Sequence, residues 1–337
     1  MSSYDLNFPF AYGGPDITAD FRSSPEDFVV DEQLGFEPCG EGEHVFLHLQ
    51  KRGDNTEWLA RQIARLAEVM PMDVGYCGLK DRHAVTTQWF SVYLPKGEEP
   101  DWAALNSETV SLLSNSRHNK KLRRGQHRSN RFVITLRNIV GEISASKLTK
   151  IFTDGVPNYF GEQRFGHGGN NLVEADAFLR GERKIKNRPR RGMYMSAARS
   201  WLFNQVLVAR LSQGAENWSL PLPGEPETFG SGPLWGRGRA LAGEEALQLE
   251  TDAMAPWQAW CEALEHVGLK QERRALRLLP LLAEWAQLPP SEDDTGPGLQ
   301  LSFELPPGTY ATAVLREVAV LNNLSVRANA PVPLPAE

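Results

Sequence analysis

Two hydrophobic rhythms alternate along the chain. In its first third, Asp27–Leu34 (DFVVDEQL) and His44–Leu49 (HVFLHL) carry Val, Phe and Leu with partial two-residue alternation, which predicts strands. Gln88–Leu94 (QWFSVYL) and Phe132–Leu136 (FVITL) predict two more. Between them, Asn55 and Thr56 are N-cap candidates for a helix with apolar positions Leu59, Ile63, Leu66 and Met70, closed by Pro71. Ser144–Phe152 reads as a short helix, and residues 155–171, dense in Gly, Asn and aromatics, as a loop.

The texture then changes. Ser196 is placed to cap an amphipathic helix running to about Leu211, with Gly214 suited to its end. Further helical stretches are predicted near 252–267 and 275–288, separated by Gly/Pro-rich loops. Leu299–Leu305 is strand-like, Pro306-Pro307-Gly308 a turn, and Ala311–Leu321 a helix. The tail from Asn329 (NAPVPLPAE) reads as disordered.

Length and composition narrow the class. At about 100–200 residues per domain, 337 residues predict two domains. No run of about 18 apolar residues occurs, so no membrane span is expected. Met1–Pro15 lacks the basic-then-apolar build of a signal peptide, which points to a cytoplasmic protein. Cys39, Cys77 and Cys261 form no CxxC pair, against a disulfide scaffold or a cysteine-rich zinc site.

The formal net charge of −6 argues, taken alone, against a nucleic-acid partner. Position changes that reading. Residues 117–131 hold seven Lys/Arg and no acid, Lys120, Lys121, Arg123 and Arg124 among them. Residues 180–199 hold eight Lys/Arg and one Glu, including Arg188, Arg190 and Arg191. The two runs carry +7 each, leaving −20 over the other 302 residues. Segregated positive charge suits RNA or another polyanion.

Common catalytic signatures fail. Gly78-Leu79-Lys80 lacks the GxxxxGK[ST] spacing of a phosphate loop, and no GxGxxG, HExxH or GxSxG occurs. His44 and His48 on one strand face stand about 13 Å apart along the backbone, too far for one metal. Neither a metal nor any other cofactor is expected.

What remains is a constellation. Asp81 sits among cations, beside Lys80 and Arg82 and with Arg22 as a further candidate. A carboxylate so placed stays ionised and can act as a nucleophile, or it can be a turn aspartate before a strand. Phe28 and Phe132 could stack on an unstacked base or fill the core, and Asn130 could pair with a base edge.

Five segments, SSPEDFVVDE, GLKDRHAVTTQ, VPNYFGEQRFG, SAARSWLFNQ and LPPGTYATAVLRE, occur in order between roughly residues 21 and 317. Together they resemble the TruD family of tRNA pseudouridine synthases. The resemblance implies isomerisation of a uridine in tRNA, at position 13, to pseudouridine. It puts the catalytic aspartate on Asp81 and surrounds the uridine with Phe28, Asn130, Phe132 and Tyr310. Family members often carry Lys where Arg22 stands, as the cation accompanying the aspartate.

The implied fold class is α+β. A pseudouridine-synthase-type catalytic domain with a mixed, largely antiparallel sheet would come from 1–155 and 305–337, and an inserted α/β domain from 156–304. A cleft between the two, with one basic run from each, would grip tRNA. The reaction needs no metal, nucleotide or obligate protein partner. The rivals are a non-catalytic RNA-binding protein of the same fold and an enzyme acting on free nucleosides. The two basic runs argue against the latter.

Overall fold

A computed structural model describes residues 4–95, 98–214, 217–292 and 294–325. The tail expected to be disordered from Asn329 lies outside the described residues, as does the start of the N-terminal segment read for a signal peptide. Along the chain, the first elements are β1 (Ile17–Phe21), β2 (Phe28–Gln33), β3 (His44–Arg52), α1 (Thr56–Leu66), β4 (Val74–Tyr76), β5 (Val85–Tyr93), β6 (Val110–His118) and β7 (Ser129–Gly141). The middle holds α2 (Ala145–Asp154), β8 (Val156–Pro157), α3 (Glu162–Phe165), α4 (Asn170–Leu179), α5 (Arg188–Ser212) and β9 (Ser231–Leu234). It continues with α6 (Glu244–Met254), α7 (Gln258–Glu265), β10 (Glu272–Ala275) and β11 (Arg277–Leu278). The last elements are β12 (Leu281–Leu288), β13 (Gly298–Leu305), α8 (Ala311–Val318) and β14 (Ala319–Asn323).

Two compact units result. One is built from 16–143, 280–308 and the segment from 319, the other from the residues up to 15, 144–279 and 309–318. The chain thus changes unit after residues 15, 143, 279, 308 and 318, whereas the division expected from sequence lay at 156 and 304.

The first unit is a ten-stranded sheet with the central order β12-β13-β7-β2-β5-β3-β6. β1 bridges β7 and β14, and β4 adds to β5. The β1–β14 and β2–β5 pairs are parallel and the remaining pairs antiparallel, a mixed and largely antiparallel sheet as expected. Along β2 every second residue is buried, which puts Glu32 on the same face as Phe28 and Val30. On β3, Lys51 is in phase with the buried Val45, Leu47 and Leu49. The register sets Val30 opposite Phe132 and Glu32 opposite Asn130. Leu59, Ile63 and Ala64 of α1 cover Val45, Leu47, Leu49, Phe90 and Val92 of the sheet.

The second unit is mainly helical, with two short ladders, β9–β10 and β8–β11. Its core gathers Phe8, Tyr159, Phe165, Trp201, Phe203, Leu207 and Trp260 around α5.

Several expectations fail for identifiable reasons. The first helix stops at Leu66, and Met70 is exposed beyond it, because Glu68 turns into the left-handed region at φ 54°. The helix expected from Ser196 begins at Arg188, since Asn187 caps it by accepting from the Arg190 N–H at 3.0 Å, with Pro189 in the first turn. Residues 275–288 are strands, because the apolar run Leu281–Leu288 pairs with β13. The stretch 252–267 is divided between α6 and α7 around Pro256, and 155–171 contains α3 and the start of α4. The last helix ends at Val318, and Ala319–Asn323 pairs with β1.

Candidate active site

Asp81 closes a short loop that leaves β4, and three side chains hold the loop by its main chain. Gln88 of β5 donates to the Gly78 carbonyl at 3.1 Å. The Lys80 N–H donates to Thr56 Oγ1 at 3.1 Å, and that hydroxyl donates to Gln88 Oε1 at 2.8 Å. Lys51 Nζ donates to the Asp54 carbonyl at 2.7 Å and to the Asp81 carbonyl at 3.2 Å. Burial pushes the Lys51 ammonium down to about 8, with Asp81 and Asp54 acting in the opposite direction.

The loop backbone is fixed while the Asp81 carboxylate stays 43% exposed. Its Oδ2 lies 3.3 Å from a terminal guanidinium nitrogen of Arg22. Arg22 takes a left-handed φ of 58°, a conformation that costs a long side chain about 1–2 kcal/mol. Its guanidinium lies 4.2 Å over the Phe28 ring and 4.9 Å from the Phe21 ring, so aromatic faces hold the cation against Asp81.

Phe28 is therefore a support: it is 2% exposed, with the cation over its ring, and offers no open face to a base. Phe132 packs edge-on to Phe28 with centroids 6.0 Å apart, and is 8% exposed.

Beneath the loop lies a buried polar cluster. The Lys80 ammonium is 2.6 Å from Glu32 Oε2 and donates to Asn130 Oδ1 at 2.6 Å. Lys80, one of the cations beside Asp81 in sequence, is thus engaged with Glu32, while Arg82 donates to the Gly53 carbonyl at 3.2 Å. Asn130 Nδ2 meets His127 Nε2 at 3.0 Å. Glu32 also accepts from the Trp89 N–H at 3.2 Å. Burial raises the Glu32 carboxyl against the pull of Lys80, and lowers the His127 imidazole to about 4, helped by the same lysine. Glu32, Cys77 and His127 bring donor atoms within 4.8 Å of one another, a set that could hold a metal ion. There Lys80 already supplies the positive charge next to Glu32. Burial pushes the Cys77 thiol up to about 12, which holds it protonated at neutral pH.

Tyr310 belongs to the other unit, where its hydroxyl accepts from Arg164. Arg164 also donates to Ser196 Oγ at 3.2 Å, and its guanidinium lies 5.6 Å from the Phe160 ring.

The basic runs divide in the same way. Lys120, Lys121, Arg123 and Arg124 occupy the connection from β6 to β7, which runs along β4. Lys121 donates to the Met72 carbonyl, Arg124 lies 5.8 Å over Tyr76, and the Gly125 N–H donates to the Cys77 carbonyl at 2.7 Å. A Cβ at Gly75 would stand 2.4 Å from the Leu122 carbonyl oxygen, so this close approach requires glycine. Arg188, Arg190 and Arg191 are exposed on the first turn of α5.

Motif reading does not single out Glu32, Lys51, Thr56, Gln88, His127 or Arg164. Strand phase marks two of them: Glu32 and Lys51 fall on apolar faces, where an unpaired charge would be costly.

A family model described as tRNA pseudouridine synthase D (TruD) matches residues 8–184, just over half of the chain. The chain belongs to the TruD family. It is 50% identical over 333 residues to the tRNA pseudouridine synthase D of Cellvibrio japonicus, covering 97% of each chain. To the protein of that name from Nitrosococcus oceani it is 49% identical over 339 residues, covering 91% of this chain and 93% of the relative. The crystal structure of a putative TruD from Methanosarcina mazei superposes with a TM-score of 0.69 at 20% identity, over 93% of this chain and 95% of the other. That likeness is one of fold. No helix among the described residues is long and apolar enough to cross a membrane.

Proposed function

We propose that this TruD-family chain isomerises uridine to pseudouridine in tRNA, at position 13, with Asp81 as the nucleophile. The carrying observation is a half-exposed carboxylate on a loop fixed at three main-chain positions and paired with a cation at 3.3 Å. In the reaction the N1–C1′ bond breaks, a C5–C1′ bond forms, C5 loses a proton and N1 gains one. No electrons enter or leave, so the balance requires no redox partner and no nucleotide.

Asp81 attacks C1′ of the sugar or C6 of the uracil, and Arg22, 3.3 Å away, orients the attacking carboxylate. The base leaves its stack to reach Asp81. Asn130 holds its edge or its sugar, Tyr310 supplies a stacking face and Phe132 an apolar edge. Lys120, Lys121, Arg123, Arg124, Arg188, Arg190 and Arg191 contact backbone phosphates. We place the enzyme in the cytoplasm, with tRNA as its partner.

The test is Asp81→Asn assayed on unmodified tRNA. Pseudouridine formation falls by roughly 10⁴-fold or more while tRNA affinity stays within about threefold. Retained turnover would overturn the assignment. A wild-type chain that binds tRNA and forms no pseudouridine would instead support the RNA-binding rival.

A further inference from the structure

Lys80 is the neighbour of Asp81 in sequence, yet its side chain runs the other way, into the sheet. It is 6% exposed and meets a Glu32 side chain that is fully buried, at 2.6 Å. The ladder sets Glu32 directly opposite Asn130, so one ammonium reaches both strands.

Hydrogen-bond polarity then fixes everything in this row. An ammonium has donors and no acceptor, so the amide atom facing Lys80 must be oxygen. That turns Nδ2, a donor, onto His127 Nε2 at 3.0 Å, and this ring nitrogen must therefore accept. The imidazole is accordingly neutral with its proton on Nδ1. Its depressed pKa of about 4, from burial and the nearby lysine, agrees. What half-buried Asn130 retains for a substrate is the second Nδ2 hydrogen. The acceptor beside it is already held by a cation.

We infer that Lys80 is a positioning residue for the uridine reaction: anchored on Glu32, it sets the Asn130 amide so that Asn130 presents a hydrogen-bond donor to an oxygen of the substrate. Such an oxygen is a uracil carbonyl or a sugar hydroxyl. The inference rests on the reaction read above and adds to it the polarity of one contact. It also gives the lysine of the GLKD segment a task separate from the charge of Asp81.

Removing Lys80 alone would leave Glu32 charged and unpaired in the sheet, so the informative variant is the double substitution Glu32→Gln with Lys80→Met. We expect it to fold, with turnover on tRNA reduced 10- to 100-fold and KM changed less than threefold. In that background Asn130→Ala should cost less than threefold, against 10-fold or more in the wild type. The ¹⁵N shifts of His127 should report an Nδ1–H ring in the wild type and lose that signature in the double variant.

A folded double variant with wild-type turnover overturns the inference, as does an Asn130→Ala cost that is equal in both backgrounds. Asn130→Asp provides a second route should the double variant not fold. It keeps an oxygen for Lys80 and removes the donor, so turnover should fall about 100-fold, and wild-type turnover would overturn the inference. Asp81→Asn is measured alongside. An active Asp81→Asn overturns the assignment of Asp81 as nucleophile, whereas an inactive one beside an active Asn130→Asp overturns this inference alone.

Discussion

The two units share one device, the buried ion pair, with Lys80–Glu32 in the sheet unit and Arg210–Glu225 and Arg273–Glu250 in the helical unit, and differ in the rings packed at their centres. The sheet unit holds Glu32, Lys51, Gln88 and the Lys80 side chain around the Asp81 loop, each engaged with a polar partner. The helical unit fills its centre with rings: Trp257 meets Tyr4, Trp201 and Trp260, and Trp201 meets Phe8, with centroids 5.0 to 6.1 Å apart. Aromatic burial stabilises without dictating the placement of any one atom to a fraction of an ångström. A buried charged network is a weak source of net stability, but it tolerates few arrangements, since each donor must meet an acceptor. Where a carboxylate must be held while still open to solvent, the chain uses the charged network.

Breaking the aromatic centre should have the larger effect on stability. Trp201→Ala removes a buried ring that touches Tyr4, Phe8, Phe165 and Trp257, and should destabilise by about 3–5 kcal/mol, read by chemical denaturation. An effect under about 1 kcal/mol would show that the rings are not what holds this unit together.

The polar cluster should announce itself through pH. His127 has a folded pKa of about 4, below its ordinary 6.5, so the fold favours the neutral ring. Its contribution is present above pH 6.5 and is lost as pH falls through about 4, amounting to about 3 kcal/mol. Denaturation of wild type and His127→Gln at pH 7 and pH 4 should show a smaller acid loss in the variant. Equal losses would place the acid sensitivity elsewhere.

Next in size is the basic turn of α5. Replacing Arg188, Arg190 and Arg191 by Glu should weaken tRNA binding by 10-fold or more and flatten its dependence on salt. An unchanged salt slope would take this turn off the RNA path. Smallest is the cap that sets the turn: Asn187→Ala should cost about 1 kcal/mol and fray the residues carrying those arginines, seen as faster amide exchange at Arg190.

Much of the site can be read from sequence because its residues lie in contiguous motifs. Asp81, Arg22, Phe28, Asn130 and Phe132 are each identified by a short segment, and the sheet unit brings them together. Their roles are less legible. Phe28 stacks on a guanidinium and is closed to a base, and Lys80 turns away from the aspartate beside it, because those outcomes depend on which side chains the neighbouring strands present.

The amino-acid order by itself determined the family, the alternating strands of β2 and β3, the α1 helix with its Asn55 cap, and the segregation of charge into two runs. All of these are local properties, carried by residues within a turn or a strand of each other. Tertiary structure decided the rest. Residues 281–288 became a strand only because β13 was there to pair with, and Glu32 and Asn130 came to share the Lys80 ammonium because the β2–β7 register set them opposite each other. A short apolar run is compatible with helix or strand, and a lone buried charge with nothing at all, until a distant segment supplies its partner.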